Sequence, residues 1–302
     1  MNILKYICLP GLLVSGDIQT VSAVESKTDK NPNILVILID DAGYNDFGFM
    51  GSKEMQTPNI DALTSEGVVF TDAHVAATVS SPSRACLITG RYGHRFGYEC
   101  NLSDRTNGLP LEEETIAEVF KTNGYRTAAI GKWHLGSRDE QHPNNRGFDL
   151  FYGMKAGGRD YFYNEKKSDR PGDERNLLLN DRQVKFEKYL TDAFSEKAVE
   201  FINESSQPFM MYLAYNAVHT PMQATDEDMA KFEGHPRQKL AAMTYALDRG
   251  VGTVIRGLKD SGKFDNTLIF FLSDNGGATT NQSSNYPSKE INLKVDIVCL
   301  IL

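Results

Sequence analysis

Cysteine is scarce in this chain, with four in 302 residues, and none lies in a CxxC spacing. That scarcity removes zinc-ribbon sites and dense disulfide scaffolds from consideration. Cys86 and Cys100 allow either one disulfide or two isolated thiols. Positive charge is also in short supply, since 32 Lys and Arg against 40 Asp and Glu leave a net charge of −8. A nucleic-acid partner needs a basic surface to neutralise phosphates, so that class is excluded. Beyond the first residues no apolar run is long enough to cross a bilayer, which excludes an integral membrane segment. The sequence also has no internal repeat and no low-complexity tract.

What is present is the composition of a globular protein, 40% hydrophobic and 24% charged, enough for a large core. The first residues read as an address: Lys5, an apolar stretch from Tyr6 to Val14, and a small-residue site at Val21-Ser22-Ala23. Cleavage near Ala23 and a secreted or periplasmic location are expected. Next comes Ile34 to Ile39, a continuous apolar run of the kind a strand needs when both its faces are covered. Helical patterns follow at Thr57–Gly67 and Thr115–Lys121, with a strand pattern over Arg126–Ile130. Helices over Thr191–Ser205 and Gln238–Lys259 precede the strand-like runs Phe209–Tyr215 and Leu268–Leu272. Strands alternating with helices predict an α/β domain. The stretch Gly153–Asp181 lacks periodic apolar residues and reads as a long surface excursion, its Gly157-Gly158-Arg159-Asp160-Tyr161 as a solvated loop, with a substrate-facing segment the alternative.

Two acidic clusters end buried runs far apart in sequence: Asp40-Asp41 and Asp274-Asn275. Placed on neighbouring strand ends, these oxygens suit one hard divalent cation, although Asp and Asn are also common as turn and cap residues. The run Ser80-Ser81-Pro82-Ser83-Arg84 reads as a helix start, with Gly90 near the helix end. It places Ser80 at the N-cap, where free N–H groups and the helix dipole favour an oxyanion, and Arg84 one turn in. A plain Ser cap with a solvent-facing Arg is the alternative.

The longer run Ser80-x-Pro82-Ser83-Arg84-x-x-Leu87-x-Thr89-Gly90-Arg91 resembles the signature of type I sulfatases. So do Asp40-Asp41-x-Gly43-Tyr44, Gly131-Lys132-Trp133-His134-Leu135-Gly136, His219-Thr220-Pro221 and Asp274-Asn275-Gly276-Gly277. The resemblance covers roughly Asn33 to Pro287. It implies an alkaline phosphatase-like fold, a large mixed β-sheet flanked by helices, and a sulfuric ester hydrolase acting on a sulfated sugar or polysaccharide. It also implies that Ser80 becomes formylglycine through a serine-type maturation enzyme, since an unmodified hydroxyl is a poor nucleophile. By the same resemblance Asp40, Asp41, Asp274 and Asn275 would bind Ca2+, and Asp274 would accept the nucleophile's proton. Arg84 would steady the formylglycine, and Lys132 and His219 would hold the sulfate. His219 would also protonate the leaving alcohol, and His134 would promote collapse of the sulfated intermediate. Phosphatases and phosphodiesterases of the same superfamily are the competing reading. They use an unmodified nucleophile and commonly two metals, and the Pro82-Ser83-Arg84 context points away from them.

The resemblance stops after Pro287, where relatives continue with a Gly-rich segment and a sulfate-contacting Lys. Here Ser288 to Leu302 diverges, and neither Lys289 nor Lys294 stands in that setting. The organisation expected is a signal peptide over 1–23, an incomplete catalytic domain over 24–287 lacking the C-terminal subdomain, and a divergent tail over 288–302. Missing strands would leave an unpaired sheet edge, and with it poor stability or an inactive remnant.

Overall fold

The computed structural model describes residues 31–101, 108–286 and, for the backbone, 298–301. The proposed signal peptide with its Ala23 site, and Lys289 and Lys294, lie outside the described residues. Among the described residues the strands are β1 (Asn33–Ile39), β2 (Val68–Val69), β3 (Arg126–Lys132), β4 (Leu150–Met154), β5 (Leu178–Leu179), β6 (Arg182–Gln183), β7 (Phe209–Ala214), β8 (Thr267–Ser273) and β9 (Val298–Ile301). The α-helices are α1 (Pro58–Ser65), α2 (Ser80–Thr89), α3 (Ile116–Thr122), α4 (Leu190–Glu204), α5 (Asp226–Ala230) and α6 (Gln238–Asp260). The strands form one mixed sheet in the order β2-β9-β8-β1-β7-β3-β4-β5-β6. Its centre, β8-β1-β7-β3-β4, is parallel throughout, and the flanking strands pair antiparallel.

The apolar run of β1 serves both faces of this sheet. Leu35, Ile37 and Ile39 join one core with α1, α4 and α6, while Ile34, Val36 and Leu38 join the other with α2 and α3. The side-chain period of two produces this split, and β7 repeats it with Phe209, Met211 and Leu213 against Met210 and Tyr212. In register, Ile37 lies beside Leu213 on β7 and Phe271 on β8. Each fully buried Ile, Leu or Phe in such layers contributes about 1.5–3 kcal/mol by leaving water.

The helices start where the sequence signals them. Thr115 caps α3 in a capping box, its hydroxyl accepting from the Glu118 amide at 3.2 Å while Glu118 accepts from Thr115 N at 2.6 Å. Helix α6 buries Leu240, Met243, Leu247, Val251, Val254 and Leu258, the stripe of an amphipathic helix. It also lends Asp248 to α1, whose Ile60 N donates to that carboxylate at 2.8 Å.

Two expectations are corrected here. The outer edge of β8 is not unpaired, because β9 lies antiparallel along it. The Gly157–Tyr161 segment is not a solvated loop: Arg159, Asp160 and Tyr161 are buried. The reason is a polar network of its own. Arg159 grips both Asp169 carboxylate oxygens at 2.8 Å, and Asp160 accepts from Ser168 and Gln223.

Candidate active site

All the parallel strands end on one side of the sheet, and every residue expected in the site is delivered there. Asp40 and Asp41 follow β1, Asp274 and Asn275 follow β8, and Lys132 is the last residue of β3, with His134 two residues on. His219 lies in the turn after β7, and Ser80 opens α2. In an open α/β sheet this is where ligands bind.

Ser80 is the centre of the arrangement. Its hydroxyl lies 2.9 Å from Asp40 Oδ1 and 3.2 Å from Asn275 Oδ1, and accepts from Lys132 Nζ at 3.3 Å. It is the first helical residue rather than the cap; Val79 takes that place, and no side-chain cap bond forms. The correction has a physical reason, since the hydroxyl is engaged by Asp40 instead of capping the helix backbone. The helix ends as expected, with Gly90 in the left-handed conformation.

Arg84 is fully buried, which excludes the solvent-facing alternative. Its guanidinium donates to Asp274 Oδ2 from Nε at 3.0 Å and Nη2 at 2.8 Å, and Nη2 lies 3.5 Å from Asp40 Oδ1. Lys132 Nζ donates to Asp40 Oδ2 at 2.6 Å. Burial pushes the Asp40 carboxyl up, but Lys132, His219 and Arg84 outweigh it and hold Asp40 below its ordinary value. Burial, followed by the Asp40 charge, pushes Asp274 above its ordinary value despite Arg84 and Lys132. Burial lowers His134 well below the ordinary histidine range, and the Lys132 and Arg84 charges lower it further, so its ring is neutral.

Asp40, Asp41 and Asp274 place carboxylate oxygens within 4.8 Å of one another. Asn275 spans the cluster, its Nδ2 donating to Asp41 Oδ1 at 2.7 Å and its oxygen facing Ser80. Three carboxylates around two buried cations leave a negative charge uncompensated. With an amide oxygen added, this all-oxygen donor set fits a hard divalent cation.

Several residues of the site carry no signal in the sequence. Asn281 Nδ2 donates to the carbonyls of Asp41 and Val218, both at 3.1 Å, and Ser283 Oγ donates to Asp41 O at 3.0 Å. The Tyr161 hydroxyl reaches the carbonyls of Asn216 and His219 at 2.6 and 2.8 Å, pinning the turn that carries His219. Gly157 and Gly158 run so close to the histidines that a Cβ would stand 2.6 Å from the His134 ring and 3.2 Å from that of His219. Ser81 Oγ donates to the His134 carbonyl at 2.7 Å. His74 and His142 lie elsewhere, the first with Asp72 and the second with Asn180. Cys86 and Cys100 are free thiols, so the disulfide alternative falls.

A serine at a helix N-terminus facing an acidic cluster at the carboxyl edge of a large mixed sheet defines the alkaline phosphatase-like class of fold. The sulfatase family model matches residues 32–295, and the chain belongs to that family. It is 34% identical to the uncharacterized sulfatase YdeN of Escherichia coli (strain K12), over 83% of this chain and 53% of that protein. It is 36% identical to arylsulfatase J of Mus musculus, over 85% of this chain and 44% of that one. Among solved structures, Ps i-CgsB in complex with k-i-k-neocarrahexaose superimposes with a TM-score of 0.84 at 42% identity, covering 90% of this chain and 66% of that one. The chain thus spans about half the length of the curated relatives it matches. Among the described residues no helix is long and apolar enough to cross a membrane.

Proposed function

We propose that the protein hydrolyses a sulfate ester on a sulfated sugar or polysaccharide, using formylglycine made from Ser80 and a bound Ca2+. The observation that carries this reading is the Ser80 hydroxyl held at once by Asp40, Asn275 and Lys132 beside a cation-ready carboxylate cluster. Support for the substrate class comes from Ps i-CgsB, solved with a neocarrahexaose bound.

Asp40, Asp41, Asp274 and Asn275 would hold the cation. Bound there, it would supply a Lewis acid for the sulfate oxygens and a fixed positive charge for the nucleophile. The aldehyde formed when Ser80 loses two hydrogens to the maturation enzyme would supply, once hydrated, the attacking hydroxyl. Asp274 would take that hydroxyl's proton. Arg84 offsets part of the negative charge in this corner and fixes the orientation of Asp274. Lys132 and His219 would donate to the sulfate oxygens, and His219, the more exposed of the two, would protonate the departing alcohol. His134, kept neutral by burial, is available as a base for the step that restores the aldehyde.

The test is sulfate release from sulfated oligosaccharides, including carrageenan fragments, by protein co-expressed with a serine-type maturation enzyme. Release that needs Ca2+ and disappears in Ser80→Ala supports the reading. Release that persists in Ser80→Ala, or release of phosphate in preference to sulfate, overturns it.

A further inference from the structure

The candidate metal ligands have unequal support. Asp274 is held by Arg84, and Asp40 by Lys132. Asp41 pairs with neither of these cations, its carboxylate meeting only Asn275 Nδ2 at 2.7 Å and His219 Nε2 at 3.7 Å among the described residues, and its backbone adopts φ +58°, a left-handed conformation that residues other than glycine adopt uncommonly. The segment after β8 braces this conformation. Asn281 Nδ2 and Ser283 Oγ both donate to the Asp41 carbonyl, at 3.1 and 3.0 Å. Asn281 is fully buried, and its own Oδ1 accepts from Ser283 N at 3.0 Å, so the two act as one clasp.

The clasp is itself anchored. Ser284 N donates to Asp46 Oδ2 at 2.9 Å, and Asn45 N donates back to Ser284 O at 2.8 Å. Arg237 locks the far side by donating to Asp46 Oδ1 at 2.6 Å and to Gln282 O at 3.1 Å. The same Asn281 amide donates to Val218 O at 3.1 Å, one residue before His219. One side chain therefore ties the metal-ligand turn after β1 to the histidine turn after β7.

We infer that Asn281 and Ser283 are positioning residues that set Asp41 for cation binding, making the irregular segment 279–285 a working part of the site. This rests on the reading of the carboxylate cluster as a Ca2+ site. Groups that orient a metal ligand from behind typically contribute 10- to 100-fold to metal affinity. Neither residue reaches the cluster with its own side chain, so their effect runs through the backbone of Asp41.

The experiment is calorimetric titration of the full chain with calcium chloride, paired with thermal unfolding in calcium and in chelator. Asn281→Ala and Ser283→Ala are each expected to weaken Ca2+ binding by about tenfold or more. Ser283→Thr, which keeps the hydroxyl, should bind like the wild type. The calcium-induced rise in Tm should shrink in the alanine variants and persist in Ser283→Thr. Calcium affinities within about twofold of wild type, with an equal drop in Tm in calcium and in chelator, would show a purely structural role and overturn the inference. Should Asn281→Ala fail to fold, the partly exposed Ser283 decides the question alone. A wild-type chain that binds no Ca2+ overturns the metal reading and this inference together, whereas wild-type binding that the variants leave unchanged overturns the inference alone.

Discussion

The two halves of this site are built in different ways. One half sits on regular structure: Asp40, Lys132 and Asp274 project from the ends of β1, β3 and β8, and Ser80 and Arg84 from the first turns of α2. The other half is irregular. His219 stands on a turn fastened by Tyr161, Asp41 is clasped by Asn281 and Ser283, and both histidine rings rest on the glycines at 157 and 158. Strands and helices place charge with precision because many backbone hydrogen bonds fix each end. Loops reach comparable precision only through buried polar side chains, and the difference lies in which interactions carry the load.

That comparison can be broken by experiment. The largest effect is expected on the regular half. Arg84→Ala leaves Asp274 and Asp40 buried without their shared cation, and should cost about 3–5 kcal/mol in urea unfolding. A loss near that of a surface substitution contradicts the burial described here. Arg159→Ala makes the matching test in the irregular half, where the Arg159–Asp169 pair is equally shielded from water. If the Gly153–Asp181 excursion is an integral part of the fold, the cost is again about 3 kcal/mol. If it were a solvated loop, the change would stay within about 0.5 kcal/mol.

Smaller effects sharpen the contrast. Tyr161→Phe removes the hydrogen bond from the excursion to the His219 carbonyl and should cost about 1–2 kcal/mol, with altered His219 ring signals by NMR. Unchanged His219 signals would show that the tyrosine merely packs. The smallest effect is one of pH. His134 has a folded pKa well below 6.5, the ordinary value it takes in the unfolded chain. The folded state therefore binds fewer protons, and the contribution of neutral His134 is complete above about pH 6.5 and is lost as pH falls toward the folded value. Stability measured from pH 7 to pH 5 should fall less steeply in His134→Gln than in wild type. Parallel slopes would place the titration elsewhere.

The same division decides what could be read from the sequence. Ile34 to Ile39 ending at Asp40-Asp41, and Leu268 to Leu272 shortly before Asp274-Asn275, announce buried strands with acids at their carboxyl ends. Periodicity and end signals located these and the bounds of α2 to within a residue. The placement of Ser80 as a cap missed because its hydroxyl had a better partner in Asp40, which lies 40 residues away. Asn281 and Ser283 gave no signal, and Tyr161 none beyond its place in the Gly157–Tyr161 loop. Their segments have no period, their side chains are of types usual in solvated loops, and their partners lie far along the chain, 240 residues in the case of Asn281 and Asp41. The polar stretch from Gly157 to Tyr161 looked solvated for the same reason, since nothing local shows that Arg159 meets Asp169 in the interior.

The most direct test of the central claim, that Ser80 is the reactive residue of a sulfatase site, is mass spectrometry of the peptide spanning Ser80. The protein should be co-expressed with a serine-type maturation enzyme that converts a known relative under the same conditions. Loss of two hydrogens at Ser80, absent in Ser80→Ala, is the predicted result. An intact serine in that experiment would contradict the account.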